Sequence, residues 1–229
     1  MSDMRSGRTP AGTETIDIGD LAAEIVDLTP TLDAGQARVA VALYRLLARG
    51  EPVPDGRLAE HLGVPVEEVS ATLNALPAVH RDDGKRVVAF WGLSLGETPH
   101  RLEVEGQTVY AWCAGDSLFL PRSLGRSARV ASAAPDTREP ISLVVHPDGV
   151  ESISPERAVL SFRLPNGKKF DDNIISNFCH HILFFPSEEG GRRWAEGRED
   201  IVILTILEGF ELTRRWVDGV FGAAIGAAG

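Results

Sequence analysis

The stretch LEVEGQTVYAWCAGDSLFLPRSL, residues 102–124, changes its period in the middle. From Leu102 to Trp112, apolar and polar side chains alternate about a Gly106-Gln107 turn, the rhythm of a β-hairpin with one face on a core. After Cys113 the alternation stops, and residues 116–124 read as a helix. A hairpin that hands over to a helix puts Cys113 at the junction and Asp116 three positions on. If Cys113 starts the helix, its thiol faces the positive end of the helix dipole, which lowers a thiol pKa. Asp116 then lies on the same helical face, where a carboxylate can take a thiol proton and deliver it later. The only other cysteine is Cys179, in the string Asn177-Phe178-Cys179-His180-His181. Two thiols and a carboxylate that can be brought together suit a soft metal and a proton. The same residues also admit a purely structural reading: buried cysteines packing as small hydrophobes and Asp116 capping a helix.

Upstream, residues 35–49 carry apolar side chains at helical spacing (Val39, Leu43, Leu46, Leu47) and stop at Gly50. A short helix at residues 57–62, a Gly63-Val64-Pro65 turn and a second helix at residues 66–76 follow. Arg81-Asp82-Asp83-Gly84 reads as a hairpin turn leading into a strand over residues 85–95. Three helices and a small β wing make a winged-helix-like unit. Downstream of the opening stretch, short strands at residues 129–132, 141–145, 149–153 and 158–164 are split by Pro and Gly. Residues 173–185 are apolar and carry Cys179, residues 188–197 suggest a helix, and residues 204–224 read as a C-terminal helix.

The expected fold is therefore α+β: a winged-helix-like three-helix unit followed by a mixed, mainly antiparallel β-sheet domain with flanking helices. The divisions read from the chain are a disordered tail at residues 1–14, the winged-helix-like domain at 15–95 and a catalytic domain at 96–229. The tail is polar and lacks the apolar stretch of a secretory signal. No apolar run reaches the ~18 residues of a membrane span. A cytoplasmic protein with two free thiols is expected. A formal net charge of −10 disfavours general nucleic-acid binding.

Residues 101–143, with YAWCAGDSLFLP, GRSARV and EPISL, together with the Phe178-Cys179-His180-His181 string, resemble the core of the alkylmercury (organomercurial) lyase family. The similarity runs from about Gly35 to about Phe221. Cys113, Asp116 and Cys179 fall where that family places its two mercury-binding cysteines and its catalytic aspartate. His180 and Ala134 stand where some members carry further cysteines, positions outside the family's catalytic set. The resemblance implies cleavage of a carbon–mercury bond by protonolysis, giving a hydrocarbon and Hg(II), as part of mercury resistance and detoxification. Mercury is then substrate and product, bound by Cys113, Asp116 and Cys179, and no organic cofactor or resident metal is needed. The partners implied are organomercurial small molecules, low-molecular-weight thiols that extract the product, and a mercuric reductase that accepts Hg(II).

Trp112 is a candidate wall of the site, its ring face offered to a cationic organomercurial; otherwise it is a strand-end core aromatic. His180 and His181 invite a zinc reading with Cys179, but the chain lacks the four closely spaced ligands of a structural zinc site. The rival function is a mercury-binding or mercury-responsive winged-helix transcription regulator. Against DNA binding, residues 35–95 hold seven basic and seven acidic side chains. The candidate recognition helix also begins Val66-Glu67-Glu68, which repels phosphate.

Overall fold

A computed structural model describes residues 16–170 and 173–227; the tail expected at residues 1–14 lies outside them. Four helices open the described residues: α1 (Ile18–Leu28), α2 (Ala34–Leu47), α3 (Asp55–Leu62) and α4 (Val66–Ala75). The last three are the helices expected from periodicity. The first is an addition, started by the Asp17 carboxylate, which accepts from the amides of Gly19 and Asp20. A reciprocal capping box between Asp33 and Gln36 starts α2, and Gly63 in the left-handed conformation ends α3. Asp55 on α3 accepts from Ser70 on α4 and pairs with Arg81, tying the two helices to the wing.

The wing is a hairpin of β1 (Val79–Arg81) and β2 (Val87–Phe90). It does not stand alone. After β3 (Leu93–Ser94) come β4 (His100–Val104), β5 (Gln107–Ala111), helix α5 (Ala114–Leu124), β6 (Ala128–Ala133), β7 (Pro140–His146) and β8 (Gly149–Ser154). All eight strands form one sheet in the order β1-β2-β3-β5-β4-β6-β7-β8, every ladder antiparallel. The front unit is thus hydrogen-bonded into the large sheet. The strand expected over residues 85–95 is broken in two, because Trp91 (φ 27°) and Gly92 (φ 93°) both turn into the positive-φ region.

The rest of the chain builds a smaller layer: β9 (Val159–Arg163), α6 (Ile174–Asn177), a 3₁₀ turn (Cys179–His181), β10 (Phe184–Phe185), α7 (Glu188–Ala195), β11 (Ile201–Thr205) and α8 (Ile206–Ala227). These three strands pair in the order β10-β9-β11. The C-terminal helix expected from residue 204 begins two residues later. Residues 201–205 are instead a strand on β9, and Thr205 and Glu208 cap α8 reciprocally through side chains and amides.

The core lies between the large sheet and α2, α5 and α8. Tyr44, Phe90, Phe119 and Phe221 meet there as edge-on or tilted rings. Gly209 lets α8 lie directly on β9, since a Cβ there would fall 2.5 Å from a Leu160 methyl. Among the described residues no helix is long and apolar enough to cross a membrane.

Candidate active site

Cys113 is the N-cap of α5, in extended conformation at the end of β5. Its sulfur accepts from the Asp116 amide at 3.4 Å, and the Asp116 Oδ2 accepts from the Cys113 amide at 3.1 Å. This is a capping box with sulfur in place of a hydroxyl. The structural and chemical readings of Cys113 and Asp116 are therefore compatible: the cap holds the carboxyl beside the thiol.

Cys179 arrives from the other layer. Its sulfur lies 4.0 Å from Asp116 Oδ2. The turn that carries it is pinned at three points: the Ala114 amide donates to the Ile182 carbonyl at 3.1 Å, the Ser161 hydroxyl to the His181 carbonyl at 2.9 Å, and the Leu183 amide to Ser161 Oγ at 3.1 Å. One ligand atom each from Cys113, Asp116 and Cys179 lie within 4.8 Å of one another. Both thiols are free, and all three side chains are buried.

Burial sets the electrostatics. It pushes the Asp116 carboxyl up from its ordinary 3.8 to about 7, while hydrogen bonds from the Cys113 side chain and amide pull the other way. The Cys113 thiol is raised well above the usual thiol range by burial, then by the Cys179 contact and the nearby Asp116 charge. The expectation of a thiol acidified by the helix dipole is thus corrected: desolvation of a fully enclosed sulfur outweighs the end of one helix. For Cys179 the contact with Cys113 favours the thiolate, but burial and Asp116 oppose it and the net direction is upward. At neutral pH the site holds two protonated thiols beside a carboxyl near its midpoint.

A cavity of about 50 Å³ opens on these groups, walled chiefly by Trp91, Phe162, Phe170, Phe178, Ile182 and Trp216. That volume holds a few waters or a small organic group. Among the described residues Asp116 is the only carboxylate on its wall.

Residues 93–218 match the family model for alkylmercury lyase, and residues 20–91 match the helix-turn-helix domain of alkylmercury lyase. The chain belongs to the alkylmercury lyase family. It is 39% identical to the alkylmercury lyase of Staphylococcus epidermidis over 191 residues, covering 82% of this chain and 87% of that protein. It is 39% identical to that of Bacillus cereus over 172 residues, 75% of this chain and 77% of the relative. The relative in Streptomyces lividans is 35% identical over 75% of this chain and 78% of its own length. The crystal structure of the mercury-bound form of MerB2 superposes with a TM-score of 0.73 at 20% identity, covering 88% of this chain and 99% of that one, and shows the shared fold.

The other expected residues of this alkylmercury lyase family member fall outside the cavity wall. Trp112 is not among the residues that wall the cavity, and its ring stands edge-on to His80 at 5.3 Å. The indoles that do wall the cavity are Trp91 and Trp216. His180 is exposed, His181 is half-buried, and neither joins the metal-competent group. Ala134 is wholly buried. Nothing in residue spacing announced Trp91, Thr213 or Trp216, since they reach the site from a strand break and from α8.

Proposed function

We propose that this lyase cleaves the carbon–mercury bond of an organomercurial by protonolysis at Cys113, Asp116 and Cys179. The observation that carries the reading is a carboxyl with a pKa of about 7 enclosed with two thiols in an apolar cavity. A binding protein needs the two sulfurs. Only a proton-transfer reaction needs a buried carboxyl poised to gain and lose a proton near neutral pH.

The cation R–Hg⁺ enters and is captured by Cys179, the thiol whose ionised form Cys113 favours; its proton leaves to solvent. Thiolate ligation satisfies a soft cation, and electron density donated to mercury makes the attached carbon more basic. Ionised Asp116 accepts the Cys113 proton as that sulfur adds to mercury, then passes it to the carbon. The carbon–mercury bond breaks with its electron pair on carbon, and R–H departs. In balance, R–Hg⁺ and two thiols give R–H, Hg(II) held by two thiolates, and one proton. An Asp116 oxygen completes the mercury ligands in this scheme, supported by its position within 4.8 Å of both sulfurs. The reaction needs no organic cofactor and no resident metal, because mercury is the substrate.

Two sulfurs hold Hg(II) tightly, so turnover requires small thiols to extract it, with a mercuric reductase as the downstream acceptor in cytoplasmic mercury detoxification. The regulator alternative has little support: α4 presents Glu67 and Glu68, both exposed, in its first turn. The deciding experiment supplies methylmercury or phenylmercury to the purified reduced protein with excess small thiol and measures methane or benzene by gas chromatography. Stoichiometric mercury binding with no hydrocarbon would leave a mercury binder in place of an enzyme.

A further inference from the structure

The front helical unit reaches the site at Ile25 of α1, which walls the cavity, and through the Tyr44 hydroxyl on α2. The Trp91-Gly92 turn that splits β2 from β3 lies directly against the Asp116 carboxyl: a Cβ on Gly92 would fall 2.8 Å from Asp116 Cγ and 2.9 Å from Oδ1. The turn has an unfavourable backbone, with φ 27° at the non-glycine Trp91 and φ 93° at Gly92. Such a conformation persists only where its surroundings over-determine it. Three hydrogen bonds do so. The Trp91 amide donates to the Ala78 carbonyl at 3.3 Å, and the Trp112 amide donates to the Gly92 carbonyl at 2.9 Å. The third is the only one from a side chain: the Tyr44 hydroxyl on α2 donates to the Trp91 carbonyl at 2.7 Å.

We propose that Tyr44, Trp91 and Gly92 form a bracket through which the front helical unit positions the Asp116 carboxyl for proton transfer, with Tyr44 as its positioning residue. The bracket acts on both sides of the reacting atoms. Its Gly92 leaves room for the carboxyl next to the Cys113 amide, and its Trp91 indole walls the cavity. Tyr44 is fully enclosed by Phe90, Phe119 and Phe221, whose ring centroids lie 4.9, 6.5 and 5.9 Å away, so its hydroxyl is aimed by packing. The helix-turn-helix unit then serves the chemistry as a clamp, consistent with its wing being sewn into the catalytic sheet. A tyrosine that merely fills the core would donate to any nearby acceptor; this one donates to the carbonyl of the strained residue next to the site.

The proposal rests on the protonolysis reading, and the test separates the two. Tyr44→Phe keeps the ring and deletes the hydroxyl. The pH midpoint of the buried carboxyl is followed by the infrared carbonyl band lost in Asp116→Asn, alongside single-turnover hydrocarbon release and Hg(II) stoichiometry. Among the described residues the titratable groups facing Asp116 are Cys113, Cys179 and Tyr44 itself. In Tyr44→Phe the turn relaxes and admits water, so the midpoint moves down from about 7 and release slows roughly 3- to 10-fold, the scale of one lost buried hydrogen bond. Hg(II) stoichiometry and KM stay at parent values. A lowered melting temperature with unchanged midpoint and unchanged release, measured well below melting, would overturn the bracket. If Tyr44→Phe does not fold, Gly92→Ala addresses the same contact: it should displace the midpoint and slow release while both thiols still bind Hg(II), and parent-like values for both refute the bracket. Should the parent release no hydrocarbon, the function reading fails, and the infrared midpoint still decides the bracket.

Discussion

Replacing Asp116 with Asn tests the site through both stability and turnover. Asn keeps the size of the side chain and an oxygen that can accept from the Cys113 amide, but it cannot ionise. In the parent, the folded carboxyl titrates at about 7 against an ordinary value of 3.8. Between those values the folded protein keeps a proton that the unfolded chain gives up, so stability falls as pH rises. The contribution is full below about pH 4 and lost above about pH 7. At 1.36 kcal/mol per unit over about three units, the loss is roughly 4 kcal/mol. The Asn variant lacks this slope, so its advantage over the parent should widen by about 4 kcal/mol between about pH 4 and pH 8. Urea denaturation of the reduced proteins at several pH values measures the gap directly. The same variant should bind organomercurial at the two thiols but release hydrocarbon roughly 10²-fold more slowly or worse, the usual scale of lost acid–base help. In the parent, kcat/KM should climb through about pH 7 as the carboxyl ionises; this limb should vanish in the variant. Parallel stability curves would refute a buried, proton-holding carboxyl, and parent-like turnover would leave Asp116 as a helix cap alone.

Cys113→Ser or Cys179→Ser should each abolish nearly all single-turnover hydrocarbon release while circular dichroism shows an intact fold, because a hydroxyl is a poor ligand for a soft cation; near-normal turnover by either variant contradicts the two-thiol scheme. Phe178→Ala should lower KM for phenylmercury more than for methylmercury, since the ring walls a cavity of only about 50 Å³; parallel changes for both substrates would show that this wall does not limit size. A low-salt gel shift with DNA from upstream of the protein's own gene should show no specific complex, given the exposed Glu67 and Glu68 on α4; a complex released by mercury would favour a regulator.

Local patterns in the chain are sufficient for the elements whose cause is local. The alternation of residues 102–112 made the β4–β5 hairpin legible, because a two-residue period needs only one buried face. The CxxD spacing was legible as a cap, since a cap follows from three residues of helix start. Helices α2 to α4 announced themselves through apolar spacing and Gly63. Other features depend on partners distant in sequence. Residues 201–205 are a strand because β9 offers them an edge, and no period in four consecutive apolar residues separates that from the first turn of a helix. The break at Trp91-Gly92 is held by Tyr44, Ala78 and Trp112, so it is invisible within its own segment. The Cys113 thiol departs from its sequence reading for the same reason: the helix dipole is a local property of Cys113, whereas desolvation is imposed by every element that closes over it. The two sulfurs and the carboxylate are legible in the sequence; only the packing of two layers brought Cys179 within 4.0 Å of Asp116 and buried that carboxyl enough to push its pKa up to about 7.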